Sequence, residues 1–334
     1  MPLRAPHPFS AFVRILGRGK SLTRALTEAE AEQAMGMILD GDVLPEQLGA
    51  FLMLLRIKEE SPEEMAGFVR AARSRLAAPD VAVDLDWSSY AGKKRQLPWF
   101  LLAALTLAGA GYRVFMHGGE GHTPGRVYAS EALAALGLAP GRDLADAAEA
   151  LKRTNFAYLT LERMSPRLDD LLGLKPILGL RSPVNSFTRM LNPFRAATLL
   201  QGVFHPGYLA LHRDAGRLLG QPNLAVFRGE GGEIERRPNK PCDTLELIAG
   251  EPAETRWPVR LDDPRLEPDE TMELARLAAV WRGEIADVYA DAAIAGTIAI
   301  ALKALGAEPT VEAAERRADA LWQARDRTRL LTAA

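Results

Sequence analysis

Apolar residues along the first 76 positions repeat at helical spacing. Ala31, Ala34, Met35, Ile38 and Leu39 recur three and four apart behind Thr27, which pairs with Glu30 as a capping box. Gly41 closes that helix. Leu48, Phe51, Leu52 and Leu55 share one face of a second helix over 46–58. Ser61-Pro62-Glu63-Glu64 opens a third, with proline in its first turn and Met65, Phe68, Val69 and Ala72 as its buried stripe. Three short helices of this kind must pack on one another and on a further layer, so the stripes read as core.

After Pro79 the period changes. Short apolar runs at Val81–Leu85, Tyr112–Met116, Phe156–Leu159, Leu199–Val203, Leu224–Phe227 and Leu245–Ile248 predict strands. Helical patterns lie between several of them, at Trp99–Ala110, Ser130–Leu136, Leu144–Lys152 and Leu209–Leu219. Such alternation predicts a mainly parallel sheet covered by helices. Residues 269–305 and 311–331 read as two long closing helices. The fold class is therefore α/β, with a small all-helical N-terminal domain (1–78) and a larger domain around a mainly parallel central sheet.

The stretch from Asp84 to Gly119 organises the second part. DLDWSSYAGKKRQLPWFLLAALTLAGAGYRVFMHGG reads as strand, loop, apolar helix and a strand ending in His-Gly-Gly. A loop entering a helix N-terminus is a natural phosphate cradle, because free amides and the helix dipole meet there. Such cradles use several glycines; this loop has only Gly92, followed by Lys93, Lys94 and Arg95.

Composition adds limits. The 334 residues are 48% hydrophobic and 25% charged, ordinary for a soluble globular chain. Net charge is −2 and the pI about 6.3, so attraction to a polyanion would need a local basic surface. A single cysteine, Cys242, excludes an intrachain disulfide framework and fits a reducing, cytoplasmic setting. No apolar run approaches the roughly 20 residues of a membrane span, so no membrane partner is expected. The Arg-rich start (Arg4, Arg14, Arg18, Lys20, Arg24) lacks a signal-peptide core and reads as part of the fold. Charge is uneven: residues 152–195 carry eight basic against three acidic side chains, and 262–291 three against nine.

The residues resemble a family. LTEAEAEQAMGMILDGDVLPEQLGAFLMLLRIKEESPEEMAGF is similar to the helical domain of anthranilate phosphoribosyltransferases and their nucleoside-phosphorylase relatives. GYRVFMHGG stands where the family has Lys-His-Gly-Asn-Arg. GLRSPVNSFTRMLNPF resembles Arg-Thr-x-x-Asn-x-x-Gly-Pro-Leu-x-Asn-Pro, keeping Arg181, Asn185, Asn192 and Pro193. VFRGEGGEIE resembles His-Gly-x-x-Gly-Leu-Asp-Glu. The likeness runs nearly the whole chain in order. It implies a helical domain completed by about residues 165–181, an α/β domain over 79–164 and 182–334, and a homodimer through the helical domains.

The resemblance departs at the chemistry. Ser88-Ser89-Tyr90-Ala91-Gly92-Lys93 replaces the family's Gly-Thr-Gly-Gly-Asp diphosphate loop, and Leu97-Pro98-Trp99-Phe100 replaces its Asn-Ile-Ser-Thr. Met116, Gly119 and Glu120 replace Lys, Asn and Arg around His117 and Gly118. Lys175 stands at the anthranilate-binding arginine, and Glu233-Ile234 at the metal-binding Asp-Glu pair. These departures resemble a side branch of the family understood to bind nucleic acid.

The first expectation is therefore a degenerate, homodimeric transferase fold that binds DNA or RNA without sequence specificity, lacking cofactor and metal. Its candidate contacts are Lys93, Lys94, Arg95, Lys175, Arg181, Arg189, Arg195, Arg228, Arg236 and Arg237, beside a residual ligand pocket of Tyr90, Gly92, His117, Gly118 and Asn185. Arginine mixed with Ser182, Ser186, Thr188 and Asn192 suits sugar–phosphate contact, and Tyr90 and Trp99 could stack on bases. Each has a plainer reading: a solvated basic loop, a domain junction held by Arg181 and Asn185, core aromatics, and a structurally satisfied His117. Glu233 and Glu235 alternate, so extended chain would not turn both onto one metal. Two other functions stay open. One is an active glycosyl or phosphoribosyl transferase with an altered phosphate site, using magnesium with phosphoribosyl pyrophosphate. The other is a scaffold for a protein partner.

Overall fold

The computed structural model describes residues 5–19, 21–266 and 271–330. Four helices come first: α1 (Ser10–Leu16), α2 (Glu28–Asp40), α3 (Pro45–Lys58) and α4 (Pro62–Arg73). Both capping boxes form. Thr27 and Glu30 exchange side-chain and backbone bonds at the start of α2, and Ser61 and Glu64 do so at α4. Gly41 ends α2 in the left-handed conformation at φ 83°.

Then come β1 (Leu85–Ser89), α5 (Phe100–Gly109), β2 (Val114–Gly118), α6 (Ala129–Ala135), α7 (Leu144–Thr154) and β3 (Phe156–Thr160). Four short helices follow, α8 (Leu161–Met164), α9 (Pro166–Leu172), α10 (Lys175–Leu178) and α11 (Val184–Phe187). The chain continues through β4 (Thr198–Val203), α12 (Tyr208–Leu218), β5 (Asn223–Arg228), β6 (Cys242–Ile248) and β7 (Glu251–Trp257). It closes with α13 (Ala275–Arg282), α14 (Val288–Ala304) and α15 (Val311–Ala324).

The sheet order is β3-β2-β1-β4-β5-β6-β7. The first five strands are parallel, and β6 and β7 add an antiparallel edge. From β1 the chain winds outward through β2 and β3, then returns to place β4 on the other side of β1. In an open sheet of this kind the crevice above the carboxyl ends, where the winding reverses, is the natural ligand position. One core joins α5, α14 and α15 to one sheet face. A second joins α1–α4 and α9 to Phe115, Ala157 and Leu159 on the other.

Three expectations shift. The first strand forms at Leu85–Ser89 rather than Val81–Leu85, because Asp86, Ser88 and Ser89 are buried polar residues within a central strand. The polar edge strand β7 has no apolar run to announce it; it pairs to β6 through Ala249 and Gly250, both at positive φ. The single helix expected over 269–305 is broken at Gly283 (φ 73°) into α13 and α14, and residues 269 and 270 lie outside the described residues. Among the described residues no helix is long and apolar enough to cross a membrane.

Candidate active site

The loop after β1 turns at Gly92, which holds φ 67° and would set a Cβ 3.0 Å from the Tyr128 ring. The successive amides of Ala91 and Gly92 therefore converge on one point, as in a backbone anion nest. That point is filled by the protein itself. Glu233 Oε1 accepts from Ala91 N at 2.6 Å and from Gly92 N at 2.7 Å. Glu233 is fully buried, and its Oε2 has no hydrogen-bond partner.

Glu233 is delivered by a tight turn at Glu230–Gly232. A Cβ on Gly229 would lie 1.6 Å from Glu233 O, and one on Gly202 of β4 would lie 2.5 Å from the Glu233 carbonyl carbon. Only glycine at both positions lets the turn press against the sheet. Two residues on, Glu235 reaches the start of α5. Its Oε2 accepts from Phe100 N at 2.9 Å, and its Oε1 accepts from Lys93 Nζ at 2.7 Å and from Gln96 Nε2. Burial pushes the Glu235 carboxyl up against the opposing pull of Lys93.

Beneath the loop runs a buried chain. Asp86 Oδ1 lies 3.2 Å from His117 Nε2, and His117 Nδ1 lies 2.9 Å from the Tyr90 hydroxyl. Asp86 and His117 are fully buried and Tyr90 nearly so. Burial raises the Tyr90 phenol well above its ordinary range, so it stays protonated. His117 is thus satisfied on both ring nitrogens.

A cleft of about 120 Å³ opens between the carboxyl ends of β1 and β4 and the helical layer. Tyr90, Phe204, His205, Arg56, Arg181 and Arg189 line it with Ser182, Asn185 and Ser186; no carboxylate does. The Arg189 guanidinium sits 5.7 Å from the Tyr90 ring centre, and its Nη1 is buried without a partner. Arg56 Nη1 donates to the Tyr208 hydroxyl at 3.0 Å. Nearby, burial and then the charges of Arg181, Arg189 and Lys175 lower His122 to about 4, against the bond from Nε2 to Tyr90 O.

The expected basic surface is not continuous. Lys93 is buried against Glu235 rather than exposed, because the Glu233–Glu235 segment closes over the loop. Arg236 is buried too, paired with Glu315 at 2.9 Å and lying over Trp257. Arg237 pairs with Glu230. Lys94 and Arg95 are exposed on the loop, and Lys175 is half-buried at the start of α10. Arg195 is exposed at φ 57° outside the cleft. Arg228 lies over Phe204 and donates to its carbonyl at 3.1 Å. Asn185 Oδ1 accepts from Ser182 N at 3.2 Å. Gly118 holds β2 against β1, since a Cβ there would lie 2.0 Å from Ser89 O. Trp99 and Tyr90 are core rather than stacking platforms. Sequence reasoning missed Arg56, His205 and Tyr208, which no local motif marks.

Residues 11–76 match the helical bundle domain of the glycosyl transferase family. The chain is 32% identical over 242 residues to the anthranilate phosphoribosyltransferase of Nitratidesulfovibrio vulgaris, covering 71% of this chain and 70% of that one. The chain belongs to the anthranilate phosphoribosyltransferase family. The anthranilate phosphoribosyltransferase of an Anaeromyxobacter species is 31% identical over 311 residues, 89% and 88% of the two chains. The solved structure of the Thermus thermophilus anthranilate phosphoribosyltransferase shares the fold at TM-score 0.78 and 23% identity, covering 95% and 94%. The Saccharomyces cerevisiae structure in complex with PRPP and Mg does so at 0.77 and 14%, covering 98% and 96%.

These anthranilate phosphoribosyltransferase relatives overturn the expectation of a nucleic-acid-binding chain. The burial of Lys93 and Arg236 removes two of the contacts on which it rested. The magnesium that the family implies does not fit the carboxylates present. Glu233 and Glu235 are bonded to the chain's own amides and to Lys93, and among the described residues no cluster of three His, Cys, Asp or Glu could hold a metal.

Proposed function

We propose that this chain is a glycosyl or phosphoribosyl transferase, on a side branch of its family with an altered phosphate site, working in the arginine-lined cleft. The observation that carries the reading is the cleft's position and charge. It lies at the reversal of strand order, and Arg56, Arg181 and Arg189 enter it without a carboxylate among its lining residues. Transfer from a sugar phosphate breaks the C1′–O bond, and the leaving phosphate keeps the electron pair. The acceptor's lone pair forms the new bond to C1′. Fixed guanidinium groups stabilise the charge that develops on the leaving oxygen.

The test is to incubate the protein with phosphoribosyl pyrophosphate or ribose 1-phosphate and a panel of acceptors led by anthranilate. Mass spectrometry should find one glycosylated acceptor, and no product from any pair would sink the reading. We also propose a cytoplasmic homodimer joined through the helical domain, where Leu44, Ile57, Ile177 and Leu180 are each exposed. Sedimentation of the parent and of Ile57→Glu tests that arrangement: a monomeric parent contradicts it.

A further inference from the structure

The loop after β1 and the start of α5 together make two places for anionic oxygens: the nest of Ala91 and Gly92, and the free amide of Phe100. Both are taken, by carboxylates two residues apart on one turn. Glu233 fills the nest and Glu235 caps the helix. Both side chains are buried, and the turn that carries them closes on itself at Gly229 and packs against β4 at Gly202. A ligand oxyanion at this loop would have to expel a buried carboxylate from two short hydrogen bonds.

Across the cleft the situation is reversed. Arg189 stands where the resembled Gly-Pro-Leu motif carries its proline, and its Nη1 is buried without a partner. The Arg181 guanidinium makes no hydrogen bond or ion pair among the described residues, and Arg56 is held toward the cleft by Tyr208. The volume of about 120 Å³ is far below the roughly 300–1,000 Å³ of a site that encloses a whole drug-sized ligand, and suits one phosphate group.

We propose that Glu233 and Glu235 are a built-in substitute for a bound diphosphate, and that a ligand's single phosphate is taken instead by Arg56, Arg181 and Arg189 without a divalent ion. This deepens the transfer reading by naming the donor's anion, and rests on it for that part alone. Guanidinium pairs suit a phosphate because their forked donors match its oxygens.

Isothermal titration of the full chain with inorganic phosphate and with ribose 1-phosphate, each with and without EDTA, tests the site. Saturable binding unchanged by EDTA is expected, weakened at least tenfold by Arg189→Met and by Arg181→Gln, and unaltered by Lys94→Gln. Tighter binding of ribose 1-phosphate than of phosphate points to a sugar phosphate; equal binding points to the free ion. Both support the site. Arg181 is exposed, so Arg181→Gln keeps the test valid if Arg189→Met fails to fold. Glu233→Ala should free the two amides and bind pyrophosphate at least tenfold more tightly than the parent. Phosphate binding that requires magnesium, or indifference to both arginine variants, overturns the arginine site. Unchanged pyrophosphate binding by a folded Glu233→Ala overturns the substitution. Phosphate bound without any glycosyl transfer leaves the site standing and removes the reaction.

Discussion

Lys93 Nζ and Glu235 Oε1 lie 2.7 Å apart with their side chains 2% and 1% exposed, a pair of opposite charges closed off from water. Removing one member of such a pair leaves the other charge uncompensated, which costs about 3–5 kcal/mol. Lys93→Met is expected to destabilise the chain on that scale, whereas Lys94→Gln next to it is expected to be silent. Chemical denaturation of the two variants checks the contrast, and equal stability would contradict the burial of Lys93.

Tyr90→Phe removes the hydroxyl that meets His117 Nδ1 at 2.9 Å and leaves that nitrogen buried without a partner. The expected loss is about 1–3 kcal/mol, read as a fall in Tm. A variant as stable as the parent would mean that the Asp86–His117–Tyr90 chain is not held as described.

Gly67 sits within α4, where alanine would normally favour the helix by about 1 kcal/mol. Here a Cβ would lie 2.3 Å from Glu28 O and 2.7 Å from the Ala31 Cβ, so α2 would be pushed away. Gly67→Ala is therefore expected to destabilise by about 1–3 kcal/mol, against the propensity trend. Thermal denaturation decides the sign.

His212 is buried, with Nδ1 2.6 Å from Gln201 Oε1, and burial followed by the charge of Arg189 lowers it to about 3. Its unfolded value is about 6.5. Between those values the unfolded chain binds a proton that the folded chain refuses, so stability falls as pH falls through this window. From about pH 6.5 to about pH 5 this one residue contributes a loss of about 2 kcal/mol. Urea midpoints across that range should slope less steeply for His212→Gln than for the parent; parallel slopes would refute the assignment.

The helical layer and the parallel strands were legible because their signals are local. Thr27 with Glu30 and Ser61 with Glu64 announce their helices within four residues, and the apolar strands announce theirs within five or six. The loop was not. Lys93 reads as exposed charge beside Lys94 and Arg95 until Glu235 arrives from 142 positions away. Arg56 meets Tyr208 across 152 positions, so neither residue carries a mark in its own neighbourhood. β1 was misplaced for a related reason: Asp86 is a buried polar residue whose partner, His117, lies on another strand. Pairings of this range are set by topology, which periodicity does not report.

The carboxylates that fill the loop also bear on how the fold answers to occupancy. A ligand stabilises a protein by mass action only where it binds the folded chain and not the unfolded one. Where a cradle is completed by a diphosphate, loop order and melting temperature follow ligand concentration. Here Glu233 and Glu235 travel with the chain at fixed effective concentration. The loop is completed on folding, so its order is decoupled from the diphosphate supply around it.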